Sequence, residues 1–408
     1  MALIVQKYGG TSVGTLERIG NVARRVVDLY NRGNKVVVTV SAMSGETDRL
    51  INLAKAIVDP PPRRELDVLL NTGEQVSVAL LAMAIEKLGP RSRSFLGHQI
   101  RITTDSMFSN AKILDIDTSE LIRALDEGCI AVVAGFQGID EKGNLTTLGR
   151  GGSDTTAVAI AAAIKADLCE ILTDVDGVYT TDPNICPEAR KLDEISDEEM
   201  LEMASLGAKV LHHRSVLFAS KYKVKTCVRS SFNDHPGTLI VPSEEVMEQV
   251  VVRGITCEKN ATKVRLIGVP DRPGVAAAIF SPISDAGINV DLIIQNASTD
   301  GFTDLTFTVP RADATQAMAI CQKVAGDLGA LAVDSDAEIA KISIVGLGMR
   351  THSGVASTLF QALSGAGINI QMVSTSEIKV TCVINLNDAD EAVRVLHRAF
   401  RLDQPNGG

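Results

Sequence analysis

At 408 residues, with 45% hydrophobic and 22% charged positions, the chain has the balance of a soluble globular protein, and it is too long for a single core, so two or three domains are expected. Its formal net charge of −10 excludes the basic face of a nucleic-acid binder but leaves room for local cations that hold small anions. Seven cysteines (129, 169, 186, 227, 257, 321 and 382) form no C-x-x-C pair or metal-like cluster, and neither a membrane-length apolar run nor a secretory leader is present, so a soluble cytoplasmic protein with reduced thiols is expected.

The first predicted element is a strand over residues 3–5, which runs into Lys7-Tyr8-Gly9-Gly10-Thr11-Ser12-Val13-Gly14 before a helical pattern begins at Thr15. Glycines let a backbone approach a ligand closely, and a following helix N-terminus favours anions. With the mobile charge of Lys7 this describes a phosphate cradle. It is not a P-loop, because the G-x-x-x-x-G-K-[ST] order is absent. Leu16, Ile19, Val22, Ala23, Val26 and Tyr30 then share one helical face, closed by Gly33. Residues 36–40 read as a β-branched strand, and a longer helix is expected over residues 68–86. Residues 130–135, 169–173 and 224–229 look like further buried strands. Strands alternating with helices predict a three-layer α/β sandwich with a mostly parallel sheet over residues 1–245, and ligands bind outside the carboxyl ends of such strands.

Two polar clusters interrupt this pattern. Leu148-Gly149-Arg150-Gly151-Gly152-Ser153-Asp154 precedes an alanine-rich helix expected over residues 157–166. Ser153 or Asp154 can cap that helix, but a cap does not explain an arginine framed by three glycines, which suits a bidentate grip on a carboxylate. The second cluster, Thr173-Asp174-Val175-Asp176-Gly177-Val178-Tyr179-Thr180-Thr181-Asp182-Pro183, reads either as a loop of Asx turns or as polar groups and an aromatic for a nucleotide. It fails as an EF-hand, lacking the glycine at position six and the glutamate at twelve. His212 and His213 read as helix surface or core rather than as ligands.

The remaining sequence repeats itself. Gly274, Val275, Ala276, Phe280, Ser284, Ala286, Gly287, Ile288 and Asn289 recur 80 residues later, unchanged, from Gly354 to Asn369. Each copy reads as strand (263–269; 340–346), loop, helix ending in Gly-Ile-Asn, then strands, and a last helix is expected over residues 389–400. The pattern is that of ferredoxin-like βαββαβ units, placed over residues 263–338 and 339–408. Two such units suggest a regulatory module.

Five strings together resemble the aspartate kinase family in wording and order: Lys7 to Gly14, Val40-Ser41-Ala42-Met43-Ser44-Gly45, Thr72-Gly73-Glu74, Gly149 to Asp154, and Thr173 to Tyr179. The repeat resembles that family's two ACT domains, including Gln295-Asn296 and Ser374-Thr375-Ser376-Glu377. The resemblance implies an amino-acid-kinase domain followed by tandem ACT domains. It also implies transfer of the ATP γ-phosphoryl group to the β-carboxylate of L-aspartate, the first step towards lysine, threonine and methionine. Lys7 and Asp154 are carried over as catalytic, with Lys7 stabilising the transferring group and Asp154 orienting Lys7 and neighbouring donors rather than acting as a base. Arg150 would hold the α-carboxylate and Glu74 the α-ammonium, with Ser41, Thr47 and Ser153 by the reacting groups. ATP would meet Lys7, Tyr8, Gly9, Gly10, Thr173, Asp174, Tyr179, Thr180, Thr181, Asp182, Pro183 and Lys209, and Mg²⁺ would arrive with its phosphates rather than in an all-protein cage.

Several of these positions have plainer readings. Glu74 could be a dipole partner at a helix entrance, Thr47 an ordinary loop hydroxyl, and Lys209 a solvated helix lysine. In the family, ACT units pair edge to edge and bind an amino acid at the junction. Asn289, Val290, Asp291, Gln295, Asn369, Ile370, Ser376 and Glu377 are the expected contacts, although asparagine after a helix-ending glycine also serves as a turn former. Lysine, threonine or both remain open as effectors. A homo-oligomer through the ACT units, or a hetero-oligomer with a separate regulatory chain started near Met247, is expected; neither nucleic acid nor membrane is an expected partner. A glutamate-type kinase is disfavoured by the Lys-Tyr-Gly-Gly-Thr-Ser string with the repeat, and a dinucleotide oxidoreductase by the lack of G-x-G-x-x-G after a strand. A sensor with a dead kinase domain is disfavoured because every candidate catalytic residue is present.

Overall fold

Runs of β-branched residues with no polar alternation belong in strands covered on both faces. Lys35–Val40 and Ile130–Ala134 are such runs, buried after their first residue or throughout. The computed structural model describes residues 1–208, 210–245, 251–296, 300–350 and 352–404. It divides into two units, Met1–Tyr179 with Lys191–Met247, and Thr180–Arg190 with Glu248–Gly408.

The first unit opens with β1 (Leu3–Tyr8), α1 (Leu16–Asn31), β2 (Lys35–Val40), α2 (Glu46–Ile57), α3 (Arg63–Glu86) and β3 (Ser92–Phe95). It continues with β4 (Ile102–Thr104), β5 (Ile113–Ile116), α4 (Ser119–Asp126), β6 (Ile130–Ala134), β7 (Gln137–Ile139) and β8 (Leu145–Thr147). Then come α5 (Gly152–Ala163), β9 (Leu168–Thr173), β10 (Glu194–Ser196), α6 (Asp197–Ser205), α7 (His213–Lys221), β11 (Thr226–Ser230) and β12 (Thr238–Val241). Eight strands form the main sheet in the order β10-β12-β11-β9-β1-β2-β6-β3, and all its pairings are parallel except β11 with β12. The register sets Tyr8 level with Val40 and Leu172, and Val40 level with Ala134. The loops after β1, β2, β6 and β9 therefore leave the sheet at one edge. A smaller sheet, β5-β4-β7-β8, carries the approach to Arg150.

Three sequence expectations change here. Helix α3 begins at Arg63, not near residue 68, and Glu74 lies in its middle rather than at an entrance, so a first-turn dipole role is excluded. Helix α5 begins at Gly152, with Gly151 (φ 70°) as its N-cap, so Ser153 and Asp154 sit in the first turn and cap nothing. Leu16, read as part of the buried face of α1, is 71% exposed, because the helix starts right after its Thr15 cap and its first turn faces solvent. By length and composition α3 is apolar enough to cross a bilayer, yet its buried positions include Asp67, Asn71 and Glu74, as in a core helix.

The second unit comprises β13 (Gly254–Glu258), β14 (Ala261–Pro270), α8 (Val275–Asp285), β15 (Asp291–Gln295), β16 (Phe302–Pro310), α9 (Ala314–Leu328) and β17 (Ala332–Asp336). It closes with β18 (Ile339–Val345), α10 (Val355–Gly365), β19 (Ile370–Thr375), β20 (Lys379–Asn385) and α11 (Ala389–Ala399). Its two four-stranded sheets have matching orders, β15-β16-β14-β17 and β19-β20-β18-β13. The first is a complete βαββαβ unit. In the second, the fourth position is filled by β13, which precedes the first unit in the chain and sets Glu258 opposite Lys341. The repeat has a backbone cause: Gly274 and Gly354 start their helices at φ 94° and 96°, and Gly287 and Gly367 end them at 72°, a region that side chains with a Cβ disfavour. Residues 180–190 belong to this unit as well. Cys186 lies in the same apolar cluster as Ile342 and Leu396, and Thr180 Oγ1 is 3.0 Å from His397 Nε2.

Candidate active site

The loops at the sheet edge enclose a cleft of about 470 Å³. Lys7, at the end of β1, enters it and pairs with Asp154 in the first turn of α5, Nζ to Oδ1 at 2.5 Å, both side chains largely buried. Two helices begin at this cleft, α2 after Gly45 (φ 79°) and α5 after Gly151 (φ 70°), and neither N-terminus has a side-chain cap. First-turn amides have no intrahelical acceptor, and the helix dipole adds positive potential there. Together with Lys7 and Arg150 they make a wall of positive potential.

The opposite polarity comes from α3. Glu74 is 3% exposed; its Oε1 accepts from the Ala42 N–H at 3.0 Å, and its Oε2 has no hydrogen-bond partner among the described residues. Burial pushes this carboxyl up to about 7, outweighing the Ala42 donation that would lower it. A buried acceptor open to a cleft is free to take a donor from solvent or from a bound ligand. Arg150 also lines the cleft, exposed and with no ion pair or hydrogen bond among the described residues. His212 caps α7 by accepting from the Arg214 N–H through Nδ1, at 3.4 Å. Burial, reinforced by His213, pushes His212 down to about 4, so it stays a neutral acceptor.

Lys7, Ser41, Thr47, Glu74, Arg150, Ser153 and Asp154 all line this one cleft, joined by Gly9, Gly10, Thr173 and Asp174. Thr47 lies in the first turn of α2 rather than in a loop. Tyr8 is not among the lining residues: its ring is fully buried, its hydroxyl donates to Gln6 Oε1 at 3.1 Å, and burial pushes that hydroxyl up. Tyr179, Thr180, Thr181, Asp182 and Pro183 do not line the cleft either; Tyr179 bridges to Lys191, and Asp182 accepts from the backbone and side chain of Asn184. Lys209 and Met247 lie outside the described residues. Sequence reading missed Phe136, which lines the cleft at φ 70°, a conformation costly for an aromatic residue; the Gly135 before it was the available signal.

Residues 2–230 match the Amino acid kinase family, and residues 264–326 and 342–400 each match an ACT domain. Over 408 residues the chain is 57% identical to the aspartate kinase Ask_LysC of Stutzerimonas stutzeri (strain A1501), covering 100% of this chain and 99% of that one. The chain belongs to the aspartate kinase family. Among solved structures it is similar to E. coli aspartokinase III in complex with aspartate and ADP (R-state), with a TM-score of 0.82 at 26% identity over 98% of this chain and 100% of that one. The same E. coli enzyme in complex with lysine and aspartate (T-state) gives a TM-score of 0.74 at 25% identity, over 97% and 99% of the two chains. An aspartate kinase fold therefore carries the cleft, and its tandem ACT domains are the second unit.

The residues expected to bind an effector are mostly exposed there. Asp291 is engaged: Lys341 Nζ lies 2.9 Å from its carboxylate and 3.1 Å from Glu258. Glu377 pairs with Arg350 at 3.3 Å.

Proposed function

We propose that this cleft binds L-aspartate and ATP side by side and transfers the γ-phosphoryl group to the β-carboxylate, giving 4-phospho-L-aspartate and ADP. The observation that carries the reading is the open Oε2 of buried Glu74 in the same cleft as Arg150, Lys7 and two uncapped helix N-termini. An α-amino acid supplies an ammonium for Glu74 and a carboxylate for the Arg150 fork. Its side-chain carboxylate is then left for the wall of positive potential, where Ser41, Thr47 and Ser153 add hydroxyls.

A carboxylate with an ordinary value near ~3.9 is ionised at neutral pH, so no general base is required. Its oxygen forms a bond to the γ-phosphorus as the bond to the β-phosphate oxygen breaks, and no proton moves. What the site must supply is charge compensation and alignment. Lys7 meets the transferring group, and Asp154 orients its ammonium. Gly9, Gly10, Thr173 and Asp174 take the nucleotide side; for Tyr8, Tyr179 to Pro183 and Lys209 the nucleotide role rests on family likeness alone. Mg²⁺ would come with the ATP phosphates and spread their charge, and the described residues offer no cluster of three or more metal-ligating side chains for a dedicated cage.

For the second unit we propose feedback control by lysine, threonine or both, at an edge formed by Asn289, Val290, Asp291 and Gln295 of one ACT domain and Asn369, Ile370, Ser376 and Glu377 of the other, in a cytoplasmic oligomer. The Lys341 contact supports Asp291 as a receptor for an ammonium group. The decisive experiment is an assay of purified protein with Mg·ATP and L-aspartate, trapping product with hydroxylamine. Aspartyl hydroxamate formed in step with ADP is expected. ADP release without hydroxamate, or equal turnover of L-glutamate, would overturn the reading.

A further inference from the structure

The geometry points to Asp67 as a positioning residue that sets the distance between the two grips on the amino acid. This inference rests on the reading of Arg150 as the carboxylate grip. Asp67 is fully buried on α3, and among the described residues no cation pairs with it. Its charge is spent on four donors. Oδ2 accepts from the backbone N–H groups of Ser109 at 2.9 Å and Thr147 at 2.8 Å, and Oδ1 accepts from their hydroxyls at 3.0 and 2.9 Å. A carboxylate satisfied by four donors is a strong, directional anchor. Thr147 ends β8, and three residues later comes Arg150.

The same loop is held from its other side. Arg214 on α7 donates to the Leu148 carbonyl, to Asn110 Oδ1 at 3.2 Å and to the Ala111 carbonyl at 2.9 Å. Asp67 and Arg214 thus fix the backbone on which the otherwise unpartnered Arg150 side chain is mounted.

Helix α3 adds the second half of the argument. Asp67, Asn71 and Glu74 fall at i, i+4 and i+7, one stripe of a helix, and all three are buried. The end of the stripe at Glu74 faces the cleft, and the end at Asp67 holds the Arg150 loop. One rigid element therefore spaces the ammonium acceptor from the carboxylate fork, which is the dimension that defines an α-amino acid.

The test is Asp67→Asn in the full chain. An amide can give its oxygen to the two backbone N–H groups only by setting its NH₂ against the Ser109 and Thr147 hydroxyls, which must then accept rather than donate, so the charge-assisted anchor is lost. The KM for aspartate is expected to rise about tenfold or more, as a misplaced positioning element does, while the KM for ATP stays within about twofold. Arg214→Lys, which loses the planar fork, should show the same split. In an Arg150→Ala background the Asp67→Asn effect on the aspartate KM should vanish, because one acts through the other.

Equal changes in both KM values, an unchanged aspartate KM in folded Asp67→Asn, or effects that multiply in the double variant would overturn the proposal. Should Asp67→Asn not fold, Ser109→Ala and Thr147→Val each remove one hydroxyl bond, and an unmoved aspartate KM in both refutes it. If Arg150→Ala alone leaves the aspartate KM unmoved, the grip reading itself fails, and the positioning role falls with it.

Discussion

Glu74→Gln separates binding from stability in a way that only a buried, unpaired carboxylate allows. Its carboxyl sits at about 7, against an ordinary value of 4.5, chiefly because burial penalises the charge. Between these values the folded state holds a proton that the unfolded state has lost, so stability falls as pH rises through the window from about 4.5 to about 7. At pH 8 the empty site therefore carries a penalty of about 3 kcal/mol relative to a solvated carboxyl. Glutamine keeps the shape without the charge, and Glu74→Gln should be more stable than the parent at pH 8, by up to that amount, and equal to it near pH 4. Binding should move the opposite way. The ionised form attracts the substrate ammonium, so the parent's aspartate KM should rise about tenfold from pH 8 to pH 6, with the ATP KM steady. In Glu74→Gln the aspartate KM should be high and flat with pH, at least about thirtyfold above the parent at pH 8, the effect of about 2 kcal/mol for losing one partner of a buried charge pair. His212, pushed down to about 4, does not titrate in this range. ADP release measured across pH with each substrate varied, together with thermal unfolding at pH 4 and 8, checks both limbs. A parent KM flat between pH 6 and 8, or a Glu74→Gln less stable than the parent at pH 8, would refute the reasoning.

Lys7→Ala should cut kcat by about 10²-fold or more while the fold is retained, because it removes charge stabilisation of the transferring group; near-normal kcat in a single-turnover assay would sink the assignment. Gly151→Ala places a Cβ at φ 70° and hard against His212 Cβ, so it should cost about 1–3 kcal/mol in denaturant unfolding and raise the aspartate KM along with it. Gln295→Ala should weaken inhibition by lysine or threonine while leaving uninhibited activity nearly intact, within typical couplings of about 1–3 kcal/mol. If neither amino acid, alone or combined, inhibits the parent, the ACT pair is better read as a dimerisation module.

What could be read from the sequence was whatever physics writes locally. Strands β2 and β6 are covered on both faces, so their β-branched runs stand out without any partner being known. The 80-residue repeat is visible because the turns at both ends of α8 and α10 need positive φ, and glycine meets that need in both copies. Gly9, Gly10 and the glycines framing Arg150 are a local signal of the same kind, and all of them line the cleft. The amino-acid side of the cleft was not legible in this way. Gly73 beside Glu74 looks like a helix entrance, yet it lies inside α3, where a Cβ would fall 2.9 Å from that of Ala42; its role is to let α3 approach the loop whose amide holds Glu74. Asp67 gave no signal at all, since its partners stand 42 and 80 residues away and a single aspartate in an apolar helix has no period to betray it. Local patterns thus reveal where a phosphate can go. The spacing proposed to grip the ammonium and carboxylate of an α-amino acid rests on long-range polar contacts, and only the fold brings those together.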